Sequence, residues 1–224
     1  MSSEALSVTR VPDAVYEALR ESILTQREAP GTAITEQAVA DRFGVARPTA
    51  KVALERLVAD GLLRREAHKT ARVPELTRDD IVDLYANRAI VEEAALRTLA
   101  ADGVVPMAAI AAQRMLTDAA TAAHSAAPGA AVPSAIARAD IAFHRALVEA
   151  QRSPRLARLH GLLMGEIELC IGQVLGHRLM AIDDVVTQHQ GILDAVAAGD
   201  PERAGSLTRA HIDGARDRLL ARYD

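Results

Sequence analysis

Large rings are nearly absent from this chain: it has no tryptophan, three tyrosines and two phenylalanines in 224 residues. With half of its residues apolar, the interior must be filled by alanine and aliphatic side chains. That favours helices packed closely through small residues over a sheet-rich core. Cysteine is reduced to a single residue, Cys170, which excludes an intrachain disulfide and suits a reducing, cytoplasmic compartment. No uncharged apolar run reaches the 18 residues that a membrane span needs. The first ten residues, MSSEALSVTR, lack the apolar stretch of a secretory signal, so no membrane partner is expected. A Walker loop, a GxGxxG turn and a nucleophile elbow are all missing, which argues against nucleotide enzymes and serine hydrolases. An overall excess of positive charge is also missing, since the formal net is −4.

The charge that is present is unevenly placed. Residues 42–72 carry eight Lys/Arg against three acids, a net of +5 inside an acidic protein. A local concentration of this kind is what a nucleic-acid surface needs when the whole chain offers no attraction. The segment reads as helix, turn, helix and a short β element. Pro12 suits a first helical turn, with Val15, Leu19 and Ile23 at helical spacing and Pro30-Gly31 expected to end the helix. Thr35 is a candidate cap for a second helix, Gly44 makes the turn, and a third helix runs to Asp60-Gly61. Residues 62–64 and 71–73 are β-capable and flank a polar tip at 65–70. At the start of the third helix, Arg47 can reach a guanine edge, Thr49 a phosphate, and Lys51 either. His68 and Lys69 sit at the tip, within reach of a neighbouring groove. An ordinary solvated helix face explains Arg47 and Lys51 equally well when they are taken alone.

From Thr77-x-x-Asp80, a capping box, everything reads as helix: 77–101, 105–123, 134–151, 154–177, 181–198 and 201–222. The expected fold is therefore mainly α, with a winged helix-turn-helix at 8–75 and an antiparallel bundle of six helices at 76–224. Asp140 and His144, four apart, share one helix face. His189 and His211 stand about ten residues either side of the Gly199-Asp200-Pro201 turn, so an antiparallel hairpin puts them level, roughly 15 Å from the turn. Three imidazoles and a carboxylate can thus converge between helices and hold a divalent transition metal, zinc first, with nickel, iron or manganese as alternatives. Each residue alone also has a bland reading as a surface or core polar group; His124, His160 and His177 fit no such geometry. Arg88 lies within the apolar stripe Ile81, Leu84, Val91, Ala95 and Leu99, where a buried guanidinium needs an anion. Glu92, one turn on, is one candidate and the carboxylate of a small acid is the other. Gly161-x-x-x-Gly165 reads as a close helix contact.

Two resemblances join these halves. Residues 15–73 resemble the GntR family of winged-helix regulators, above all in PGTAITEQAVADRFGVARPTAKVALERLVADGLL. Ala46, Lys51, Val52 and Thr70 stand where that family usually has serine, arginine, glutamate and glycine. Residues 78–221 resemble the FCD effector domain of the FadR branch, through Arg88-x-x-x-Glu92, Asp140-x-x-Phe143-His144, and His189 through Gly199-Asp200 to His211. The resemblance implies a homodimer that reads a palindromic operator on double-stranded DNA. It further implies a metal held by Asp140, His144, His189 and His211 and a small organic acid effector with Arg88 as its clamp. It implies no enzyme activity. The competing readings are a metalloenzyme built on the same histidines, and a DNA-binding dimer whose metal is purely structural.

Overall fold

The computed structural model describes residues 10–66, 69–125, 132–175 and 182–221. The chain divides at Glu75–Leu76 into two compact units. In the first, α1 (Val11–Leu24) is followed by β1 (Ala33–Ile34), α2 (Glu36–Phe43), α3 (Arg47–Ala59) and β2 (Ala71–Arg72). The second contains α4 (Arg78–Asp102), α5 (Met107–Ser125), α6 (Val132–Glu149), α7 (Pro154–Leu175), α8 (Ile182–Ala197) and α9 (Pro201–Leu220), and no strand among the described residues.

Local chemistry sets most of these limits. Thr35 Oγ1 accepts from the Ala38 N–H at 3.1 Å and opens α2. Gly44, at φ 63°, closes it in the left-handed conformation that glycine adopts without a Cβ clash. Thr77 and Asp80 form a reciprocal capping box at the start of α4, and Asp200 Oδ1 accepts from Arg203 N at 3.0 Å to start α9. Helix α1, behind Arg10, starts without a side-chain cap, and so does α3. The N-cap of α3 is Ala46, which provides no side-chain acceptor.

Two local expectations fail, each for a visible reason. Helix α1 stops at Leu24 rather than at Pro30-Gly31. The polar run Thr25-Gln26-Arg27-Glu28 offers nothing to bury, and Gln26 turns to φ 59°. The strand expected at 62–64 is also missing. The N–H groups of Leu62 and Leu63 both donate to the Leu57 carbonyl, closing the end of α3 and leaving neither residue a donor for a ladder. Only Arg64 bridges to Arg72. Strand β2 instead pairs antiparallel with β1, Ala33 opposite Arg72 and Ile34 opposite Ala71.

In the first unit α1 packs on α3 through Leu19, Ile23, Leu54 and Leu57, all fully buried. The Tyr16 hydroxyl donates to Asp60 at 2.6 Å, and the Arg56 guanidinium lies 4.0 Å over the Tyr16 ring. The core of the second unit joins Leu96, Leu99 and Ala100 of α4, Ala109 and Ala112 of α5, and Phe143 and Leu147 of α6. Ile192 and Val196 of α8 and Ala204 of α9 complete it. Alanines at these contacts let helix axes approach closely, as the scarcity of large rings requires. Gly161 of α7 does not share in this: a Cβ there would meet nothing within 4 Å, so among the described residues it marks no close helix contact.

Candidate metal centre and nucleic-acid interface

Four side chains from α6, α8 and α9 meet inside the second unit. Asp140 and His144 project from α6, His189 from α8 and His211 from α9, with one ligand atom of each lying within 4.8 Å of the others. The three imidazoles are 3% exposed or less. His144 Nε2 and His211 Nε2 are 3.2 Å apart, and His189 Nε2 is 3.3 Å from His211 Nε2. Asp140 Oδ1 is 3.3 Å from His189 Nε2 and 3.8 Å from His144 Nε2. Phe143, beside His144 in sequence, stacks on the His189 ring at 3.9 Å and 7°.

The protons decide what this cluster can do. His144 Nδ1 is 2.6 Å from Glu92 Oε2, and a carboxylate only accepts, so the proton of that imidazole sits on Nδ1. His211 Nδ1 is 2.8 Å from Gln188 Oε1 and donates there in the same way. Both Nε2 atoms therefore turn bare lone pairs toward each other at 3.2 Å. Such a pair is repulsive without a positive charge between them. Burial pushes the His189 imidazole down to about 4 and holds His211 well below its ordinary range, in both cases favouring the neutral form that binds metals. Burial opposes the charge on Asp140, but the His189 hydrogen bond and the neighbouring His144, His189 and Arg88 outweigh it and keep the carboxylate ionised.

The geometry fits an ion. A tetrahedral zinc with bonds of ~2.0–2.1 Å separates its donors by roughly 3.3–3.4 Å. Three of the neighbouring separations above lie within a few tenths of an ångström of that span. Among the described residues this Asp/His group could hold a divalent metal ion.

Next to the ligands lies a buried polar network on α4. Arg88 is 1% exposed and its Nε donates to Glu92 Oε1 at 2.8 Å. Glu92, one of the two anionic partners open to Arg88 from sequence, takes its Nε–H, while Arg88 Nη2 is buried with no hydrogen-bond partner among the described residues. His160 of α7 points Nε2 at the same Glu92 Oε1, 2.9 Å away. Burial opposes the charge on Glu92, but Arg88 and His144, with the His160 hydrogen bond, hold its carboxyl well below the usual range. A cavity of about 20 Å³ is lined by Arg88, Asp140, His211, Tyr85 and Arg218. That is room for about one water. Sequence spacing passed over His160 because it aligns with none of the ligands; its role lies behind them. His124 sits at the surface, 3.3 Å from Asp183, and His177 lies outside the described residues.

In the first unit, Arg47 opens α3 and is exposed, 3.3 Å from Glu36. Lys51, one turn on, is exposed and 3.7 Å from Glu55. Thr49 is half-buried, Lys69 is exposed and 2.6 Å from Glu66, and His68 lies outside the described residues. Exposed pairs of this kind are worth little and exchange readily for phosphate. Val52 adds a large apolar side chain, 44% exposed, beside Lys51.

A small helix-turn-helix unit joined to a helical unit with a buried histidine and carboxylate cluster is consistent with a transcription regulator. Residues 12–73 match the bacterial regulatory proteins of the gntR family and residues 83–214 match the FCD domain, so the chain belongs to the GntR family of transcriptional regulators with an FCD effector domain. It is 28% identical over 211 residues to a Paenarthrobacter nicotinovorans protein named "Probable D-xylose utilization operon transcriptional repressor", covering 94% of this chain and 89% of that one. It is 25% identical over 220 residues to the transcriptional repressor NanR of Enterobacter sp. strain 638, covering 93% and 85%. The crystal structure of a GntR transcriptional regulator from Rhodococcus sp. RHA1 superposes with a TM-score of 0.80 at 25% identity, covering 96% of this chain and all of that one. Both matched domains belong to DNA-binding transcription regulators, and the metalloenzyme reading falls with them. No single helix is long and apolar enough to cross a membrane among the described residues.

Proposed function

We propose that this regulator holds a divalent transition metal, zinc in the first instance, on Asp140, His144, His189 and His211, and that a small organic acid bound there controls its affinity for DNA. The observation that carries the reading is the approach of His144 Nε2 and His211 Nε2 to 3.2 Å while the Nδ1 atom of each faces an oxygen acceptor; with both protons on Nδ1, the pair calls for a cation between them. The unpaired Nη2 of buried Arg88, lining the cavity beside Asp140 and His211, supports an acid whose carboxylate meets the arginine and the metal together. When bound, the metal supplies Lewis acidity and a fixed positive charge. The chain's own residues orient the ligand histidines, exclude water and provide the arginine.

DNA reading falls to Arg47, Thr49 and Lys51 at the start of α3, with His68 and Lys69 at the wing tip, in a cytoplasmic homodimer that spans a palindrome. For the acid to regulate, it must prefer one dimer geometry by ~1–3 kcal/mol. The test is a thermal-shift screen of small carboxylates with and without chelator, followed by gel-shift titration of DNA flanking the gene. A hit is expected to vanish on chelation and in Arg88→Ala and to change DNA affinity. Stabilisation by metal with no acid shifting DNA affinity would leave the metal a purely structural role and refute the sensing reading.

A further inference from the structure

Glu92 is fully buried, and its two oxygens face different partners. Oε1 accepts from Arg88 Nε at 2.8 Å and lies 2.9 Å from His160 Nε2. Oε2 lies 2.6 Å from His144 Nδ1. Arginine has donors only, so the oxygen facing Arg88 must accept. A carboxylate satisfies this and still has a second acceptor for His144. We infer that Glu92 is a positioning residue for the metal centre, fixing His144 in the tautomer that presents Nε2 as a ligand, with Arg88 setting which way the Glu92 side chain can face. The inference rests on reading His144 as a ligand.

The isosteric change Glu92→Gln exposes the logic, because an amide has one oxygen and one NH2 group. Its oxygen must face the Arg88 Nε–H, since an NH2 there would set donor against donor. The NH2 then faces His144 Nδ1 and requires that nitrogen to accept. The imidazole proton moves to Nε2, the atom aimed at Asp140 and His211, and the ligand is blocked. Volume is unchanged and no cavity is made, so packing alone predicts no such effect. Replacing the arginine as well removes the constraint. In Arg88→Met/Glu92→Gln the amide can reverse, turning its oxygen to His144, while His160 meets the NH2 by changing its own tautomer.

The experiment uses the full chain freed of metal, in wild-type, Glu92→Gln, Arg88→Met and doubly substituted forms. Zinc affinity is read by competition with a chromophoric chelator, and the His144 tautomer by long-range proton–nitrogen NMR of the metal-free protein. The wild-type should show the proton on Nδ1. Glu92→Gln should show it on Nε2 and bind zinc about 10–100-fold more weakly. With Arg88→Met as its own reference, the double variant should show most of the loss recovered. Wild-type zinc affinity in Glu92→Gln, or weakened binding with the tautomer unchanged, overturns the inference while leaving the metal centre standing. Failure of the wild-type to bind zinc overturns the centre itself. If Glu92→Gln does not fold, the wild-type spectrum decides, and a proton on His144 Nε2 overturns the proposal.

Discussion

Acidifying the metal-free protein should destabilise it by an amount that the burial of His189 allows to be worked out. Its imidazole titrates at about 4 in the folded chain because burial disfavours its charged form, against ~6.5 when unfolded. Above pH 6.5 neither state takes the proton and the difference contributes nothing. As the pH falls from 6.5 toward 4, the unfolded chain binds a proton that the folded chain refuses, so stability is lost across that window. Between pH 7.5 and pH 5 the loss from this one residue comes to ~2 kcal/mol. For a chain of this size that lowers the melting temperature by about 4–8 °C. His211 is shifted in the same direction, also by burial first, and adds to the loss. Asp140 is held below its usual range and remains ionised in both states at these pH values, so it does not confuse the comparison. The assay is thermal unfolding of chelator-treated protein at both pH values, in wild-type and in His189→Gln, which cannot take up the proton. The wild-type should lose several degrees more than the variant on acidification. Equal losses would refute the account of His189 as a buried neutral imidazole. Zinc should raise the melting temperature strongly at pH 7.5 and much less at pH 5, because protons compete for the same nitrogens.

Two further outcomes concern the DNA-reading unit. Ala46→Ser should give α3 the N-cap acceptor it lacks and stabilise the protein by ~1 kcal/mol; urea unfolding followed by circular dichroism reads this, and no gain would mean that the first-turn N–H groups of α3 are already satisfied. Val52, exposed beside Lys51 on α3, should pack on a thymine methyl group in the major groove. Replacing each operator thymine in turn by uracil should then weaken wild-type binding several-fold at one position per half-site and leave Val52→Ala indifferent there. Uniform tolerance of uracil would exclude this contact.

Much of this architecture could be read from residue order because it rests on local rules. Caps at Thr35, Thr77 and Asp200 depend on one side chain and an N–H three residues away, and the helices they start lie close to the limits the spacing predicts. The coarse α-helical plan followed from the same patterns, whereas the regulator family came from the resemblance of residues 15–73 and 78–221. The four-residue spacing of Asp140 and His144, with the near-symmetry of His189 and His211 about one turn, was enough to suggest a shared ion site. What could not be read is long-range or competitive. Strand β1 exists because β2 found it as a partner once Leu62 and Leu63 had given their N–H groups to Leu57. Nothing within residues 62–73 signals that choice. The link from Glu92 to His160 crosses 68 residues and has no periodicity to betray it. Arg88 was legible as a buried cation wanting an anion. That Glu92 satisfies its Nε and leaves Nη2 over is a matter of angles, which only the folded chain fixes.

The size of the cavity beside Arg88 bears on how an acid could act as a signal. At about 20 Å³ it admits one water, so no carboxylate metabolite can enter while its walls stay in place. Those walls include Val185 of α8 and Ala215, Arg218 and Leu219 of α9, on the same two helices that carry His189 and His211. On the proposed reading, an acid that reaches Arg88 must push these side chains or their helices outward. It therefore binds an opened state and not the closed one, and that difference in affinity is what moves an equilibrium. A ligand that bound both states equally would shift nothing, however tightly it bound. Hydrogen exchange along α8 and α9 distinguishes the cases. Protection in these helices should change when an acid binds the zinc-loaded protein, whereas an unchanged pattern in the presence of a bound acid would mean that the signal does not pass through them.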